Sequence, residues 1–203
     1  AAVTGERSLS CGHCAAVCPA EAITVGAIDP GAGRYATFAA DPRWLPPGAF
    51  DTSQLVRLMA SRRSCRRFQA RPVERALLED LARIGVTAPS GTNCQDWTFT
   101  ILPDRASVEA LGDRVALFFR GLNRLAENPV LRNGLRLLGK RDLSDYYRNY
   151  HRSVSEALDE REKTGRDRLF HGATAAIIIG TKPGGSTPKE DALLASQNIL
   201  LAA

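Results

Sequence analysis

Three cysteines, Cys11, Cys14 and Cys18, fall within eight residues of "SLSCGHCAAVCP", and Pro19 follows the last of them. Thiolates are soft ligands suited to iron–sulfur clusters or zinc. The run C-x2-C-x2-C-x3-C-P is an iron–sulfur pattern whose fourth cysteine ligates the other cluster of a pair. Cys11, Cys14, Cys18 and Pro19 match its second, third and fourth cysteines and its proline, while Ser8 stands at the first. Small residues between the ligands let the backbone wrap closely and donate N–H groups to sulfide, and Pro19 turns the chain away. The spacing is the reverse of the C-x3-C-x2-C used in S-adenosylmethionine radical chemistry. Zinc with His13 as fourth ligand is an alternative, but His13 lies between two ligands and strains a tetrahedral site. Three unrelated buried cysteines are the bland alternative. Cys11, Cys14 and Cys18 are therefore the candidate metal ligands.

Two further stretches carry polar chemistry. Arg62, Arg63, Arg66 and Arg67 surround Ser64 and Cys65. At the end of a helix such arginines gain from the helix dipole and can simply be solvated. Forked donors beside a hydroxyl also suit a phosphate. "APSGTNCQDW", Ala88 to Trp97, reads as a turn into a strand. It also reads as a loop of short polar groups that can contact the edge of a planar heterocycle, with Pro89 packing on its face.

The elements that must position these residues follow from periodicity. "DTSQLVRLMASRRS" has helical apolar spacing at Leu55, Val56, Leu58 and Met59, with Asp51 or Thr52 as N-cap and the arginines closing the helix. "VERALLEDLARIGVTA" predicts a second amphipathic helix, and "WTFTIL" a strand. Residues 105–165 are mostly helical, and "GATAAIIIGT" is a buried strand. "TPKEDALLASQNILLAA" opens a helix with Thr187 at N-cap, Pro188 at N1 and Glu190 at N3, a capping box. Upstream, "AITVGA" is strand-like, and the Gly-, Pro- and Ala-rich residues 27–50 read as a linker with a domain boundary near 50. Helices with a few separated strands predict an α+β or mixed-sheet fold.

Taken in order, "RRSxRxF", "PV", a helix, and "APSGTNxQxW" into a strand strongly resemble the FMN-dependent nitroreductase family. The resemblance continues through "HGATAAIIIG" and the last helix, covering about residues 51–203. The cysteine segment resembles the second half of a two-cluster ferredoxin, as in a subgroup of that family with an N-terminal ferredoxin-like 4Fe-4S domain. The resemblance implies a partial ferredoxin-like segment plus linker over 1–50. It implies a nitroreductase-like, three-layer mixed sheet flanked by helices over 51–203.

By position, Arg62, Arg63, Ser64 and Arg66 look like the residues that hold the FMN phosphate and ribityl chain. Pro89, Ser90, Gly91 and Asn93 look like the loop that reaches flavin, often from the other subunit of a homodimer, and Gln95 like a neighbour. The family's other flavin contacts are expected C-terminal to residue 203. On the ferredoxin reading Cys11 and Cys14 serve one 4Fe-4S cluster and Cys18 the other, with further cysteines expected upstream. Ser8 puts only the first of these in question. The implied function is an FMN-dependent oxidoreductase. It passes electrons between an iron–sulfur relay, a ferredoxin-type donor or NAD(P)H and a small organic acceptor such as a nitroaromatic or quinone. The alternative is a non-catalytic flavin and iron–sulfur module for electron transfer or redox sensing. The cofactor carries the chemistry, so no catalytic side chain is named.

Other residues have two readings or a plain one. Tyr146, Tyr147, Arg148, Tyr150 and His151 form either a lid or an amphipathic surface helix with its aromatics packed inward. Cys65 and Cys94 read as small buried hydrophobes, and His171 as a structural cap.

The totals exclude some classes. The net charge of +5 is spread out apart from the arginine cluster, unlike the basic stripe of a nucleic-acid reader. No apolar run approaches the ~18 residues of a membrane helix. Metal-like cysteine spacing points to a reducing, cytoplasmic compartment. The first residue is not Met, and "SQNILLAA" runs on without a stop signal, so a fragment open at both ends is expected.

Overall fold

The computed structural model describes residues 8–29, 31, 33–41, 43, 45, 46 and 48–203. Residues 1–7, the start of the expected iron–sulfur segment, lie outside them, as do five positions of the linker. The elements are α1 (His13–Ala16), α2 (Thr52–Ser61), α3 (Arg75–Gly85), β1 (Trp97–Leu102), α4 (Arg105–Glu127), α5 (Pro129–Leu137), α6 (Asp142–Asn149), α7 (His151–Thr164), β2 (Ala176–Thr181) and α8 (Pro188–Ala202). They form an α+β fold divided into two compact units. The first holds the described residues up to Ser64 with Val73–Ile101 and Ile177–Ala203, and the second holds Cys65–Pro72 and Leu102–Ala176.

In the first unit α8 packs on α3. Asp191, Ala195 and Ile199 are the buried residues of α8, spaced four apart on one stripe. Gly85 on α3 has no side chain because a Cβ there would stand 2.9 Å from Phe99 Cε1 and 3.0 Å from Ile199 Cδ1. Ala88, Trp97 and Ala195 form the core, with Phe99 and Ile179 packed against it. The sheet has two strands among the described residues. Lys182 N–H donates to the Asp96 carbonyl at 2.8 Å, and Gly180 lies against Thr98, which is an antiparallel register. Asp80 of α3 is buried and accepts from the Ala36 and Thr37 N–H groups and the Thr37 hydroxyl, fastening the upstream segment to α3.

The second unit is helical. Asp104 caps α4 through Ser107 N–H, and Asn128 caps α5 through the N–H groups of Val130 and Leu131 beside Pro129 at N1. Tyr146 of α6 donates its hydroxyl to Asn123 Oδ1 of α4 at 2.6 Å.

Four local expectations are corrected. "AITVGA" is not a strand: Ile28 N–H bonds the Val25 carbonyl and the chain turns there. The helix before the arginines stops at Ser61, and Arg62 is already extended, with φ −60° and ψ 133°. The strand expected within 172–181 starts only at Ala176 and is half-buried, because a two-stranded sheet covers little of it. Thr187 is the N-cap of α8, but its hydroxyl donates to Asp191 Oδ1 at 2.9 Å and makes no capping box.

Candidate functional site

The loop from Pro89 to Gln95 is the most tightly determined of the candidate stretches. Asp191, 3% exposed, accepts from Gly91 N–H at 3.0 Å, from the Thr187 hydroxyl, and from Cys94 Sγ at 3.5 Å. Its own main-chain carbonyl accepts from Trp97 Nε1 at 3.1 Å. One residue of α8 thus fixes both ends of the loop. Inside it, Ser90 Oγ accepts from Gln95 N–H at 3.0 Å, and Gln95 Nε2 donates to Asn93 Oδ1 at 3.2 Å.

Thr92, Asn93 and Gln95 all have left-handed φ, at 51°, 55° and 52°. Such a conformation costs each non-glycine residue on the order of 1 kcal/mol, and it persists only where the surroundings over-determine it. A Cβ at Gly91 would lie 2.2 Å from Thr187 Oγ1 and 2.3 Å from Ser186 Oγ. Only glycine lets the loop sit this close to the start of α8. Asp191 is the residue that the sequence reading missed. Its signal was an acidic side chain on the apolar stripe of α8, where an alkyl group is the norm.

The arginine stretch is built differently. Arg62 is half-buried and Arg63, Ser64 and Arg66 are exposed. Arg63 Nη1 donates to the carbonyls of Ala60 at 2.6 Å and Arg62 at 3.0 Å. It thereby satisfies an end of α2 that has no further helical N–H to offer. Among the described residues, Arg62 and Arg63 make no hydrogen bond to the loop. Cys65 is exposed, against the expectation of a buried hydrophobe, because the segment left the helix before reaching it. Cys94 is half-buried.

The cysteine segment is ordered by local bonds. Gly12, with φ 75°, precedes the single turn of α1, and a Cβ there would meet Ile28 Cδ1 at 2.6 Å. Ser8 Oγ accepts from Ser10 N–H at 3.0 Å. Cys18 Sγ accepts from Ala22 N–H at 3.4 Å. The N–H groups of Ala22 and then Ala20 hold the Cys18 thiol below its ordinary pKa, outweighing its partial burial. Among the described residues, no three His, Cys, Asp or Glu side chains gather as a group that could hold a metal. One contact joins this segment to the loop: Asn93 Nδ2 donates to the Leu9 carbonyl at 2.8 Å.

In the second unit the tyrosine-rich stretch is split between α6 and α7. Tyr147 stacks beside His151 at 4.8 Å and under the Arg132 guanidinium at 3.9 Å, and His151 Nε2 is 3.0 Å from Glu127. Burial raises the Tyr146 pKa. Tyr146 and His151 are half-buried against the neighbouring helices, while Tyr147 and Tyr150 are exposed, so the aromatics of this stretch are only partly packed inward. His171 is exposed in a left-handed turn at φ 52°. Asp167, not His171, binds that turn, through the N–H groups of Leu169, Phe170 and Gly172. Three cavities are lined by this unit alone, and none of the three by a residue expected to bind flavin. No helix among the described residues is long and apolar enough to cross a membrane.

The model of the Nitroreductase family matches residues 59–203. No curated protein matches the chain. Among solved structures, a nitroreductase with bound FMN from Bacteroides fragilis NCTC 9343 is similar at 21% identity and a TM-score of 0.51, over 74% of this chain and 64% of that one. An oxidized iodotyrosine deiodinase bound to FMN and 3-iodo-L-tyrosine is 25% identical with a TM-score of 0.43, over 73% of this chain and 67% of that one. A BluB-like flavoprotein from Clostridium difficile 630 is 17% identical with a TM-score of 0.44, over 73% of this chain and 68% of that one. The first likeness is one of fold, and the chain spans just under two thirds of that relative's length.

Proposed function

The chain belongs to the nitroreductase family, and from that premise we propose that it is an FMN-dependent oxidoreductase acting on a small organic acceptor such as a nitroaromatic or quinone. The observation that supports this most is the loop over 89–95, which lies within the family match and is held in strained backbone geometry by a buried carboxylate. Strain of that kind is retained where a ligand needs a fixed surface.

The donor set fits FMN. Arg62, Arg63 and Ser64, with Arg66 next along the chain, offer guanidinium forks and a hydroxyl to a phosphate and ribityl chain. Pro89 offers a flat apolar face, and Ser90, Gly91, Asn93 and Gln95 offer short donors and bare backbone to a ring edge. FMN, when bound, supplies the electron and hydride transfer. The role of the protein is to fix the loop, neutralise the phosphate and exclude water. NAD(P)H or a ferredoxin-type protein is the donor in this reading. The sites lie at the interface of a homodimer, and the two strands belong to the family's three-layer sheet. The nitroreductase-like domain runs over 51–203, after a ferredoxin-like segment and linker over 1–50, in a cytoplasmic protein.

A second reading, a flavin and iron–sulfur module that carries electrons or senses redox state without turnover, is favoured by the Asn93–Leu9 contact. In it Cys11 and Cys14 serve one 4Fe-4S cluster and Cys18 another, each completed by cysteines outside this chain. The readings separate in one experiment on the purified protein. Flavin absorption that bleaches with NAD(P)H and returns repeatedly on adding a nitroaromatic or quinone supports the enzyme. Bleaching without turnover supports the module, and a colourless protein contradicts both.

A further inference from the structure

The second unit contains a cavity of about 150 Å3 that no step of the proposed function uses. Its walls come from α4, α7 and the chain just after α7, and Val115, Phe119, Leu158 and Leu169 supply most of its apolar character. A cavity of roughly this size has room for a benzene-sized molecule.

One wall is charged. A Cβ at Gly112 would stand 2.7 Å from Arg161 Nη1 and 3.2 Å from Nη2, so the bare glycine lets the guanidinium lie flat on α4 beside the cavity. Arg161 Nη2 donates to Asp113 Oδ1 at 2.7 Å, and among the described residues its Nε and Nη1 have no acceptor. The Arg161 side chain is 25% exposed while that of Asp113 is 73% exposed. An exposed partner contributes little and can yield. The other two charged residues lining the cavity are already committed. Asp167 accepts three backbone N–H groups, and Arg168 is paired with Glu160. With their partners Asp113 and Glu160 included, the charged groups about the cavity carry no excess of positive charge, and it is the unused N–H donors of Arg161 that call for an acceptor and favour an acid over an amine.

We infer that this cavity binds a small carboxylic acid with an apolar body, a monocyclic aromatic acid of benzoate size. The ring sits among Val115, Phe119 and Leu158, and the carboxylate takes the unused N–H donors of Arg161. A fork of two parallel N–H···O bonds gives such a pair both strength and direction.

The test titrates the full chain with benzoate and with its neutral analogue benzyl alcohol by calorimetry. Benzoate is expected to bind about tenfold or more tightly than benzyl alcohol, the usual advantage of a charge-assisted bond. Arg161→Met is expected to erase that preference and leave benzyl alcohol unaffected. Arg161→Lys, which keeps the charge and loses the fork, is expected to retain an intermediate preference. Ala157→Phe, which fills the cavity, is expected to remove both ligands. Equal affinity for the two ligands, binding of neither by the unaltered chain, or undiminished benzoate affinity in folded Arg161→Met overturns the assignment.

Discussion

The loop over 89–95 and the arginine stretch over 62–66 serve the same proposed ligand, yet they are built in opposite ways. The loop is closed from beneath by Asp191, tightened by Ser90 and Gln95, and permitted only by a glycine at 91. The arginine stretch is extended and largely exposed, and Arg63 spends its donors on the end of α2. The difference teaches that shape and charge are supplied separately. The loop presents a surface whose cost is met during folding, so its supports govern stability. The arginines stand largely at the surface, so they are expected to govern affinity more than stability.

Removing the support of the loop is the strongest way to break that contrast. Asp191→Ala leaves the half-buried Gly91 N–H and Thr187 hydroxyl without their acceptor, and donors buried without acceptors cost about 1–3 kcal/mol each. Urea unfolding is expected to show a loss of about 3 kcal/mol. A loss near zero would mean that the loop is not fixed from α8. Gly91→Ala forces a methyl against the Ser186 and Thr187 hydroxyls, and overpacking of that kind costs about 1–3 kcal/mol. The same unfolding measurement reads it, with Gly26→Ala, where nothing lies within 4 Å and φ is not left-handed, as the control for added bulk.

Asp80 sharpens the comparison at the upstream segment, where a carboxylate again holds backbone. Burial alone raises its pKa, but the Ala36 and Thr37 donors and the charge of Arg83 outweigh burial and hold it below the ordinary carboxylate value of 3.8. A folded-state pKa below the unfolded one contributes stability that is full above the unfolded value and is lost as pH falls through the folded one. Acid unfolding followed by circular dichroism is therefore expected to be less steep in Asp80→Asn than in the unaltered protein. Parallel curves would contradict the assignment.

Much of this was legible from residue types alone. The helix and strand over 73–102 follow the apolar spacing, and Thr187–Pro188 places the start of α8 correctly. Failures came where tertiary partners decide. "AITVGA" has the composition of a strand but, among the described residues, meets no neighbour to pair with. The helical spacing of 55–59 says nothing of where α2 ends, because Arg62 turns extended with no proline or glycine to announce it. The Thr187 hydroxyl had a local partner in the pattern and a better one four residues on. Asp191 could not be ranked above the other acids, since its importance lies in contacts roughly a hundred positions away in the chain. The site residues carried by the family resemblance were therefore easier to name than the residue that holds them in place.

An arginine stretch that binds a flavin phosphate beside a preformed loop must tell FMN from a flavin without the phosphate. Fluorescence titration of the protein with FMN and with riboflavin, which lacks the phosphate, tests it. FMN is expected to bind about 10–100-fold more tightly, the range for charge-assisted bonds. Arg62→Gln combined with Arg63→Gln is expected to abolish that difference while costing about 1 kcal/mol of stability, for the Arg63 bonds to the end of α2. Equal affinity for the two flavins in the unaltered protein, or a preference for FMN that survives the double substitution, would contradict it.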